Sequence, residues 1–303
     1  MEVAGGLVLV RVIERARGTW LPDGPVVALD AATGRVRWER GWASAAFATG
    51  PAGLPVVSAT TVYVPSTGPT IHALELASGR ERWSARIASG ENPAAVVPVE
   101  GGVVAAVRID EQPGDRSRAH ERVVRLASRD GTELWRSDRA RGGFWSLTVD
   151  AARVYVATVP LNGGPPTTYA LDRETGATRW SARHLSSLTP IGASLIGFGR
   201  ADSDYYAVRV DPRSGKEASS RVPLSPPSTG VQPVETGDPA VGRAAIASDE
   251  ARLSLVTRDG RVAWSTIVVP DAPCGIFRHA DTPSISGHVA YVVVSDERTI
   301  CEG

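Results

Sequence analysis

One short motif recurs six times along this sequence, and that recurrence limits what the chain can fold into. Three close copies begin at Ala28, Ala73 and Ala170 and read ALDAATGRVRW, ALELASGRERW and ALDRETGATRW. Three weaker copies follow the same spacing and read RLASRDGTELW, RVDPRSGKEAS and SLVTRDGRVAW. Self-similarity at a period of roughly 45 residues indicates a repeat architecture in which each copy forms one supersecondary unit.

Glycine and tryptophan are the most regular positions of the motif. Each copy contains one glycine, and the six are Gly34, Gly79, Gly131, Gly176, Gly215 and Gly260. In five copies a tryptophan follows four positions later, at Trp38, Trp83, Trp135, Trp180 and Trp264. The fifth copy has Ser219 instead.

The residue types of the motif predict a strand, a tight turn and a second strand. An acidic residue such as Asp30 accepts backbone N–H groups and opens the turn, while Gly34 takes a positive φ angle that closes a bulged hairpin. In the second strand, Val36 and Trp38 alternate with Arg35 and Arg37. This period of two predicts that Val36 and Trp38 share the buried face of the sheet.

Two more short strands are predicted upstream of most copies, for example at 55–58 and 61–64 before the second motif. Four strands in about 45 residues form a propeller blade. No Trp-Asp dipeptide of the WD40 type occurs. We therefore predict an all-β fold, a β-propeller of four-stranded antiparallel blades, in one domain over 1–303. About seven blades are expected, six with the motif and one partial, and a longer protein could hold eight.

The pattern AxDxxTGxxxW resembles the tryptophan-docking motif of the PQQ-like propeller superfamily. That superfamily includes quinoprotein alcohol dehydrogenases, the propeller lipoprotein of outer-membrane barrel assembly, and propeller domains of actinobacterial membrane kinases. The resemblance implies that the motif tryptophans pack between blades, and that the blade with Ser219 has the loosest contact. It also implies an extracytoplasmic location.

The phase of the repeat gives an expectation about the two ends of the ring. The first blade is expected to start at its second strand, over 7–12, and the last blade to contain strands at 283–286 and 289–294. The first blade would then lack its inner strand and the last its outer strand. We expect residues that precede Met1 to supply both, together with any signal peptide or membrane anchor.

Composition excludes some classes of partner. The 33 basic and 33 acidic residues cancel, so no global field attracts nucleic acid or an anionic membrane. No apolar run is long enough to span a bilayer, so membrane attachment would need an anchor outside this chain. A monomer is expected. Lys216 is the single lysine, and this arginine bias is typical of a GC-rich genome such as an actinobacterium.

Cysteine and histidine give no metal or redox signature. Cys274 and Cys301 lack CxxC spacing, and they form either one disulfide in an exported protein or two free thiols. The five histidines show no HxH or HExxH spacing, so no metal, cofactor or catalytic residue is assigned.

Loop lengths select one face of the propeller as the candidate binding face. Turns within strand pairs are short, whereas long connections at 15–24, 41–53, 110–120, 161–166, 225–239 and 270–279 all fall on the opposite face. Long loops on rigid scaffolds carry most binding residues. Candidate residues near them are Trp20, Arg116, Arg118, Arg122, Arg136, Arg139, Arg141 and Trp145. Six of these are arginines, which either converge on an anionic partner or form a solvated surface, and the aromatic residues either anchor a partner or pack beneath the loops.

These observations favour a non-catalytic, extracytoplasmic binding or scaffold propeller whose partner is a protein or a cell-envelope ligand. The alternative is the sensor domain of a larger membrane protein such as a receptor-like kinase. A PQQ-dependent oxidoreductase fits less well, because the family enzymes use an adjacent-cysteine disulfide and a calcium site that cannot be mapped onto this sequence.

Overall fold

The structure is a computed structural model that describes residues 2–11, 14–16, 19–21, 25–41, 55–66, 70–87, 93–109, 120–160, 164–191, 194–201, 204–224, 228–235, 243–249, 252–257, 262–267, 276–280, 284–286, 289–291 and 294–298. Side-chain surroundings are described between Ala4 and Val222. The chain divides into two compact units, residues 1–164 with 171–178 and residues 165–170 with 179–303. The interpretation of 1–303 as a single domain stays a prediction.

Six four-stranded sheets follow one another along the chain. Strands of the first sheet, in the order β1-β2-β5-β6, are β1 (Glu2–Ala4), β2 (Leu7–Arg11), β5 (Val26–Asp30) and β6 (Val36–Arg40), and β3 (Glu14–Ala16) with β4 (Thr19–Leu21) forms an inserted hairpin. The second and third sheets contain β7 (Val56–Ser58), β8 (Thr61–Pro65), β9 (Thr70–Glu75), β10 (Glu81–Arg86), β11 (Pro93–Val99), β12 (Gly102–Ile109), β13 (His120–Ala127) and β14 (Glu133–Arg141).

The next three sheets repeat this plan, with strands paired in chain order. They contain β15 (Gly143–Val149), β16 (Arg153–Val159), β17 (Thr167–Asp172), β18 (Thr178–Arg183), β19 (Leu185–Ile191), β20 (Ser194–Ala201), β21 (Asp204–Val210), β22 (Glu217–Leu224), β23 (Ser228–Glu235), β24 (Arg243–Asp249), β25 (Arg252–Thr257) and β26 (Val262–Ile267). Repeated four-stranded antiparallel sheets with strands paired in chain order are the blades of a β-propeller, so the prediction of an all-β propeller is confirmed.

Two nested strand pairs end the described part of the chain. β27 (Ile276–Ala280) pairs with β30 (Val294–Arg298), and it encloses the pair of β28 (Ser284–Ser286) and β29 (Val289–Tyr291). The strands predicted at 283–286 and 289–294 are therefore present in outline but belong to a longer hairpin. The expectation that this blade lacks its outer strand stays a prediction.

The expectation about the first strand and several expectations about loops were wrong. The first sheet does have an inner strand, because β1 pairs with β2 from Glu2 opposite Leu9 to Ala4 opposite Leu7. Gly5 and Gly6 make the turn between them, and both have positive φ angles. In addition, three segments expected to be long loops contain strands: β4 lies within 15–24, β23 lies within 225–239, and β27 begins within 270–279.

In the first, second, third and sixth sheets, the strand after the motif turn contains a bulge. The bulge changes which side chains are buried. In the first sheet Ala28 lies opposite Trp38, but the next residue, Leu29, lies opposite Val36, so Arg37 is the extra residue. Trp38 is buried, whereas Val36 is 60% exposed. The prediction that both share the buried face was wrong because a bulge shifts the register between them.

Apolar packing joins consecutive sheets through the motif tryptophans. Trp38 lies in one buried cluster with Leu9 and Val26 of its own sheet and with Val62 and Leu74 of the second sheet. A similar cluster is formed around Trp83 by residues of the second and third sheets. Burial of an aromatic side chain of this size contributes a large share of the packing energy between sheets. The described residues contain no helix with the length and apolarity needed to cross a membrane.

Candidate functional site

The motif turn is built by the acidic residue that precedes it. Asp30 Oδ1 accepts hydrogen bonds from the backbone N–H of Thr33 at 2.8 Å and from the Thr33 hydroxyl at 2.8 Å. Arg37 donates to Asp30 Oδ2 at 2.8 Å. Hydrogen bonds from Thr33, and then those from Arg37, lower the pKa of Asp30 from 3.8 to about 2. The carboxylate is therefore a structural acceptor that stays ionised.

The same turn recurs in the third, fourth and fifth copies, each with a carboxylate that accepts a backbone N–H of the turn. Asp172 Oδ1 accepts from the backbone and hydroxyl of Thr175, each at 2.9 Å. In the third copy Ala127 stands where the acidic residue would be, and Asp130, at the position of Thr33, accepts from the N–H of Thr132 at 3.0 Å, as the Thr33 hydroxyl accepts from the N–H of Arg35 at 3.4 Å. Sequence comparison alone treats this copy as weak, although its turn retains a carboxylate acceptor.

Each described motif tryptophan donates a hydrogen bond to the motif turn of the following sheet. The acceptor is always the carbonyl of the residue after the acidic position or its substitute. The pairs are Trp38 with Leu76 (2.8 Å), Trp83 with Ser128 (2.8 Å), Trp135 with Arg173 (2.8 Å) and Trp180 with Pro212 (2.9 Å). All four tryptophans are at most 9% exposed. Their role is to join one sheet to the next.

The motif glycine lies directly beneath the indole ring of the preceding repeat. A Cβ at Gly79 would come within 2.6 Å of the Trp38 ring, and one at Gly131 would come within 2.6 Å of the Trp83 ring. Gly176 and Gly215 approach Trp135 and Trp180 equally closely, with 2.5 Å to a hypothetical Cβ in both cases. Glycine is thus required at each position for two reasons: the φ angle is positive, and the indole ring leaves no space for a Cβ.

A second hydrogen bond fixes the acceptor carbonyl from inside its own sheet. The N–H of Leu76 donates to Thr60 O at 2.8 Å, and the N–H of Ser128 donates to Gly101 O at 2.9 Å. Thr60 and Gly101 lie in the turns that join the first two strands of their sheets. The motif turns and these short turns therefore occupy the same edge of the sheets. A groove of about 720 Å³ runs along this edge between the second and third sheets.

Arg125 reinforces one of these junctions, a role that its position in the sequence did not predict. It is 6% exposed, although it occupies the place that Ala28, Ala73 and Ala170 hold in the close copies. Its Nη1 donates to Arg173 O at 3.0 Å and to Glu174 Oε2 at 2.6 Å, and its Nη2 donates to Glu100 O at 3.1 Å. Arg173 O thus accepts from both Arg125 and Trp135.

On the predicted binding face, the described arginines pair with acidic residues of their own sheet. Arg122 donates to Asp138 at 2.6 and 3.1 Å, and Arg136 donates to Glu133 at 2.6 and 2.7 Å. The hydrogen bond to Glu133 raises the pKa of Arg136. The hypothesis that six guanidinium groups converge on one anion is therefore not supported by these two, because each has its charge balanced locally.

The remaining predicted residues are placed only in part. Trp20 lies in β4, Arg139 and Arg141 in β14, Trp145 in β15 and Trp264 in β26, with side chains outside the described set. Arg116, Arg118, Gly260, Cys274 and Cys301 lie outside the described residues altogether. Ser219 is exposed, and near it Ala218 to Ser220 lie opposite Arg209 alone, a larger irregularity than the single-residue bulge of the first sheet.

Glu121 is a buried acidic residue that the sequence did not single out. It is fully buried at the start of β13, and its Oε1 accepts a hydrogen bond from the N–H of Phe144 at 2.9 Å. This contact ties the third sheet to the first strand of the fourth. Among the described residues, no group of three His, Cys, Asp or Glu side chains is arranged to hold a metal ion.

Solved structures with the same fold include enzymes and a designed protein. A europium-containing methanol dehydrogenase matches with a TM-score of 0.59 and 15% identity over 92% of this chain and 73% of that chain. The quinohemoprotein alcohol dehydrogenase from Comamonas testosteroni matches with a TM-score of 0.55 and 14% identity over 98% of this chain and 66% of that chain. The computationally designed Ika8 protein matches with a TM-score of 0.63 and 11% identity, over 99% and 82% respectively. At these identities the likeness concerns the fold alone.

A family model gives a more specific relationship. No curated protein sequence matches the chain significantly. The PQQ-like repeat model described as "Outer membrane protein assembly factor BamB" matches residues 22–115 and 119–191, which is more than half of the chain. The matched segments contain four of the motif glycines and the four tryptophans whose docking is described above. The chain therefore belongs to this family of PQQ-like repeat propellers.

Proposed function

We propose that this chain is a non-catalytic, extracytoplasmic scaffold propeller that binds a protein or cell-envelope ligand through the long connections of its sheets. The observation that carries the proposal is the use of the motif tryptophans. Trp38, Trp83, Trp135 and Trp180 are buried in contacts between consecutive repeats, which makes them part of the framework. Because the tryptophan contacts hold the sheets together at one edge, the long connections at the opposite edge can differ in sequence and bind a partner.

The family to which the chain belongs also supports a scaffold that binds protein partners. The family is named after an outer-membrane protein assembly factor, and a protein that assembles other proteins acts on protein partners. The local pairing of Arg122 with Asp138 makes a purely anionic ligand less suitable than a mixed protein surface. Aromatic residues such as Trp20 and Trp145 would then be the anchors, since tryptophan is enriched among residues that dominate binding energy.

A site-specific crosslinking experiment tests which edge binds. A photo-crosslinking residue replaces Trp20 or Arg116 on the long connections in one pair of variants. In the control pair it replaces Arg129 or Glu174, whose side chains are 92% and 64% exposed in motif turns at the other edge. The full chain is expressed with an export signal in an envelope-bearing bacterium. Adducts that form only from the first pair support the proposal, and adducts that form only from the control pair overturn it.

The alternative function, a PQQ-dependent oxidoreductase, requires that the chain bind the quinone, and this can be measured separately. The fold is shared with quinoprotein dehydrogenases, so the full chain should be titrated with PQQ in the presence of calcium and assayed for dye-linked alcohol oxidation. We expect neither saturable quinone binding nor turnover. Saturable binding together with oxidation would replace the scaffold proposal by an oxidoreductase. A sensor domain would instead be revealed by a kinase domain and membrane span encoded in the same gene.

A further inference from the structure

The groove between the second and third sheets lies where an arginine fills the next junction. Arg125 occupies the position in the third sheet that Ala73 holds in the second. It donates to Glu100 O in its own sheet and to Arg173 O in the fourth, so one side chain spans that junction. Ala73 has only a methyl group. The corresponding space beside Ser128 has a volume of about 720 Å³ and is bounded by residues that the structure describes.

The floor of the groove contains Tyr63, whose hydroxyl has no hydrogen-bond partner among the described residues. The side chain is 1% exposed, and its ring packs against Trp83 with the centroids 5.9 Å apart. Tyr155, at the same position in the fourth sheet, donates to Asp150 at 2.6 Å. The second sheet has Ser58 at the position of Asp150. Burial raises the pKa of Tyr63, so this hydroxyl is protonated and can donate to a ligand.

The arginines that line the groove are only loosely paired with carboxylates. Their ion pairs within the described part of the chain measure 3.5 Å for Arg80, 4.0 Å for Arg82 and 3.7 Å for Arg129. Arg122 and Arg136, which lie outside the groove, pair at 2.6 Å. The arginines of the groove therefore retain N–H groups that can donate to an anion.

A comparison with the first sheet shows why Arg82 is available. Arg37 holds the same position there and donates to Asp30 at 2.8 Å. In the second sheet Glu75 replaces Asp30 and lies 4.0 Å from Arg82. Arg82 Nη1 donates instead to the hydroxyl of Thr61 at 3.1 Å. Because a neutral hydroxyl does not balance the charge of a guanidinium group, Arg82 can pair with the anionic group of a ligand.

Hydrogen-bond acceptors line the same groove. The carboxylates of Glu81 and Glu100 are 43% and 89% exposed. Ser128 O accepts from Trp83 and, with two lone pairs, can accept once more, as Arg173 O does. The volume is within the range of small-molecule sites and exceeds what a bare inorganic anion fills. The groove therefore suits an organic ligand that carries both an anionic group and hydroxyl groups.

We propose that this groove binds a sugar acid, a small molecule that has one carboxylate and several hydroxyl groups. Arg82 and the Tyr63 hydroxyl would donate to the carboxylate, and Arg129 supplies a further positive charge from the third sheet. The ligand hydroxyls would donate to Glu81 and Glu100. The groove lies at the edge of the motif turns, so this site is separate from the long connections of the scaffold proposal.

A ligand-observed NMR titration of the full chain with D-glucuronate measures the affinity. D-glucose is the matched probe, because it has the hydroxyl groups of glucuronate without the carboxylate. We expect saturable binding of glucuronate, and binding of glucose that is weaker by at least about tenfold, since charge-assisted hydrogen bonds are lost. Inorganic phosphate at the same concentration should not displace glucuronate, because it makes no contact with the acceptors of the groove.

Two variants and two matched controls test the residues. Arg82→Gln should weaken glucuronate binding at least about tenfold and Tyr63→Phe about threefold or more, because each removes a donor to the carboxylate. Arg37→Gln and Tyr155→Phe make the same changes at the same positions of the first and fourth sheets, outside the groove. Both controls should bind glucuronate like the wild-type chain.

Thermal melting separates a loss of binding from a loss of fold. Tyr63→Phe keeps the packed ring and should melt at the wild-type temperature, because its hydroxyl has no hydrogen bond to lose within the described part of the chain. Tyr155→Phe loses the hydrogen bond of 2.6 Å to Asp150 and should melt at a lower temperature.

Several results would overturn the proposal. Absence of saturable glucuronate binding would do so, as would equal affinities for glucose and glucuronate. Equal weakening by Arg82→Gln and Arg37→Gln would also contradict it, because binding would then not depend on the groove. Displacement of glucuronate by an equal concentration of phosphate would show a site for a bare anion and would refute the assignment to a sugar acid.

Discussion

Trp135 Nε1 donates to Arg173 O at 2.8 Å, and the same carbonyl accepts a second hydrogen bond from Arg125. The next turn is therefore held by an indole and a guanidinium at once. A carbonyl has two lone pairs, so both bonds can form without competition. This junction shows in one place how the repeat turns a short motif into contacts between sheets.

Removal of an indole N–H should weaken the contact between two sheets even when an aromatic ring still fills the space. Trp83→Phe retains an aromatic ring but leaves Ser128 O without its 2.8 Å partner. We expect a loss of about 1–3 kcal/mol in the free energy of unfolding, the usual cost of an unsatisfied buried polar group. Urea denaturation followed by circular dichroism measures it. Trp83→Ala should cost more, about 3–5 kcal/mol, because it also leaves a cavity. Equal losses for both variants would contradict the role of the hydrogen bond.

Two glycine substitutions separate backbone strain from ring contact. Gly131→Ala combines a φ of +73° with a Cβ 2.6 Å from the Trp83 ring, whereas Gly34→Ala has similar strain and no described neighbour within 4 Å. We expect about 1 kcal/mol for Gly34→Ala, since left-handed backbone disfavours a Cβ by that much. Gly131→Ala should cost a further 1–3 kcal/mol or so from overpacking. Thermal melting of both variants checks the difference, and identical melting temperatures would refute it.

Arg125 should contribute more to stability than an exposed arginine of the same sheet. Arg125→Met keeps the apolar stem but removes the hydrogen bonds to Arg173 O and Glu100 O. The expected loss is about 1–3 kcal/mol, because these carbonyls lose charged donors in a mostly buried site. The matched control is Arg129→Met, whose wild-type side chain is 92% exposed and which should change stability by less than about 0.5 kcal/mol. Chemical denaturation of both variants measures the change in the free energy of unfolding. An equal decrease for Arg129→Met and Arg125→Met would contradict the stabilising role of the Arg125 hydrogen bonds.

The Asp30 turn predicts a pH effect with a definite sign. Hydrogen bonds from Thr33 and Arg37 lower the folded-state pKa of Asp30 from 3.8 to about 2. A lowered carboxyl pKa stabilises the fold fully above the unfolded pKa, and that contribution is lost as the pH falls through the folded value. The window is therefore about pH 4 down to pH 2.

The comparison of the wild-type chain with Asp30→Asn isolates this effect. At pH 7 the wild type should melt at a higher temperature, and the gap should narrow between pH 4 and pH 2 as Asp30 is protonated. Thr33→Val should show a smaller version of the same trend, because it removes the hydroxyl hydrogen bond of 2.8 Å but keeps the backbone one. A gap independent of pH over this window would show that ionised Asp30 does not stabilise the turn.

The fold class and the chemistry of the motif turn could be predicted from the residues alone. Both depend on local rules: glycine for positive φ at Gly34 and Gly79, a carboxylate as turn acceptor at Asp30, and alternation within short strands. Because six copies carry the same local signal, a departure from the motif in one copy does not change the prediction that the others support. The strands around the second motif, β7 and β8, were accordingly predicted to within a residue or two.

The contacts between residues of different sheets could not be predicted before the packing of the sheets was known. The burial of Arg125, the exposure of Val36 and the pairing of Arg122 with Asp138 all depend on register and on a neighbouring repeat. One bulge moves a side chain to the other face, and no local propensity reports it.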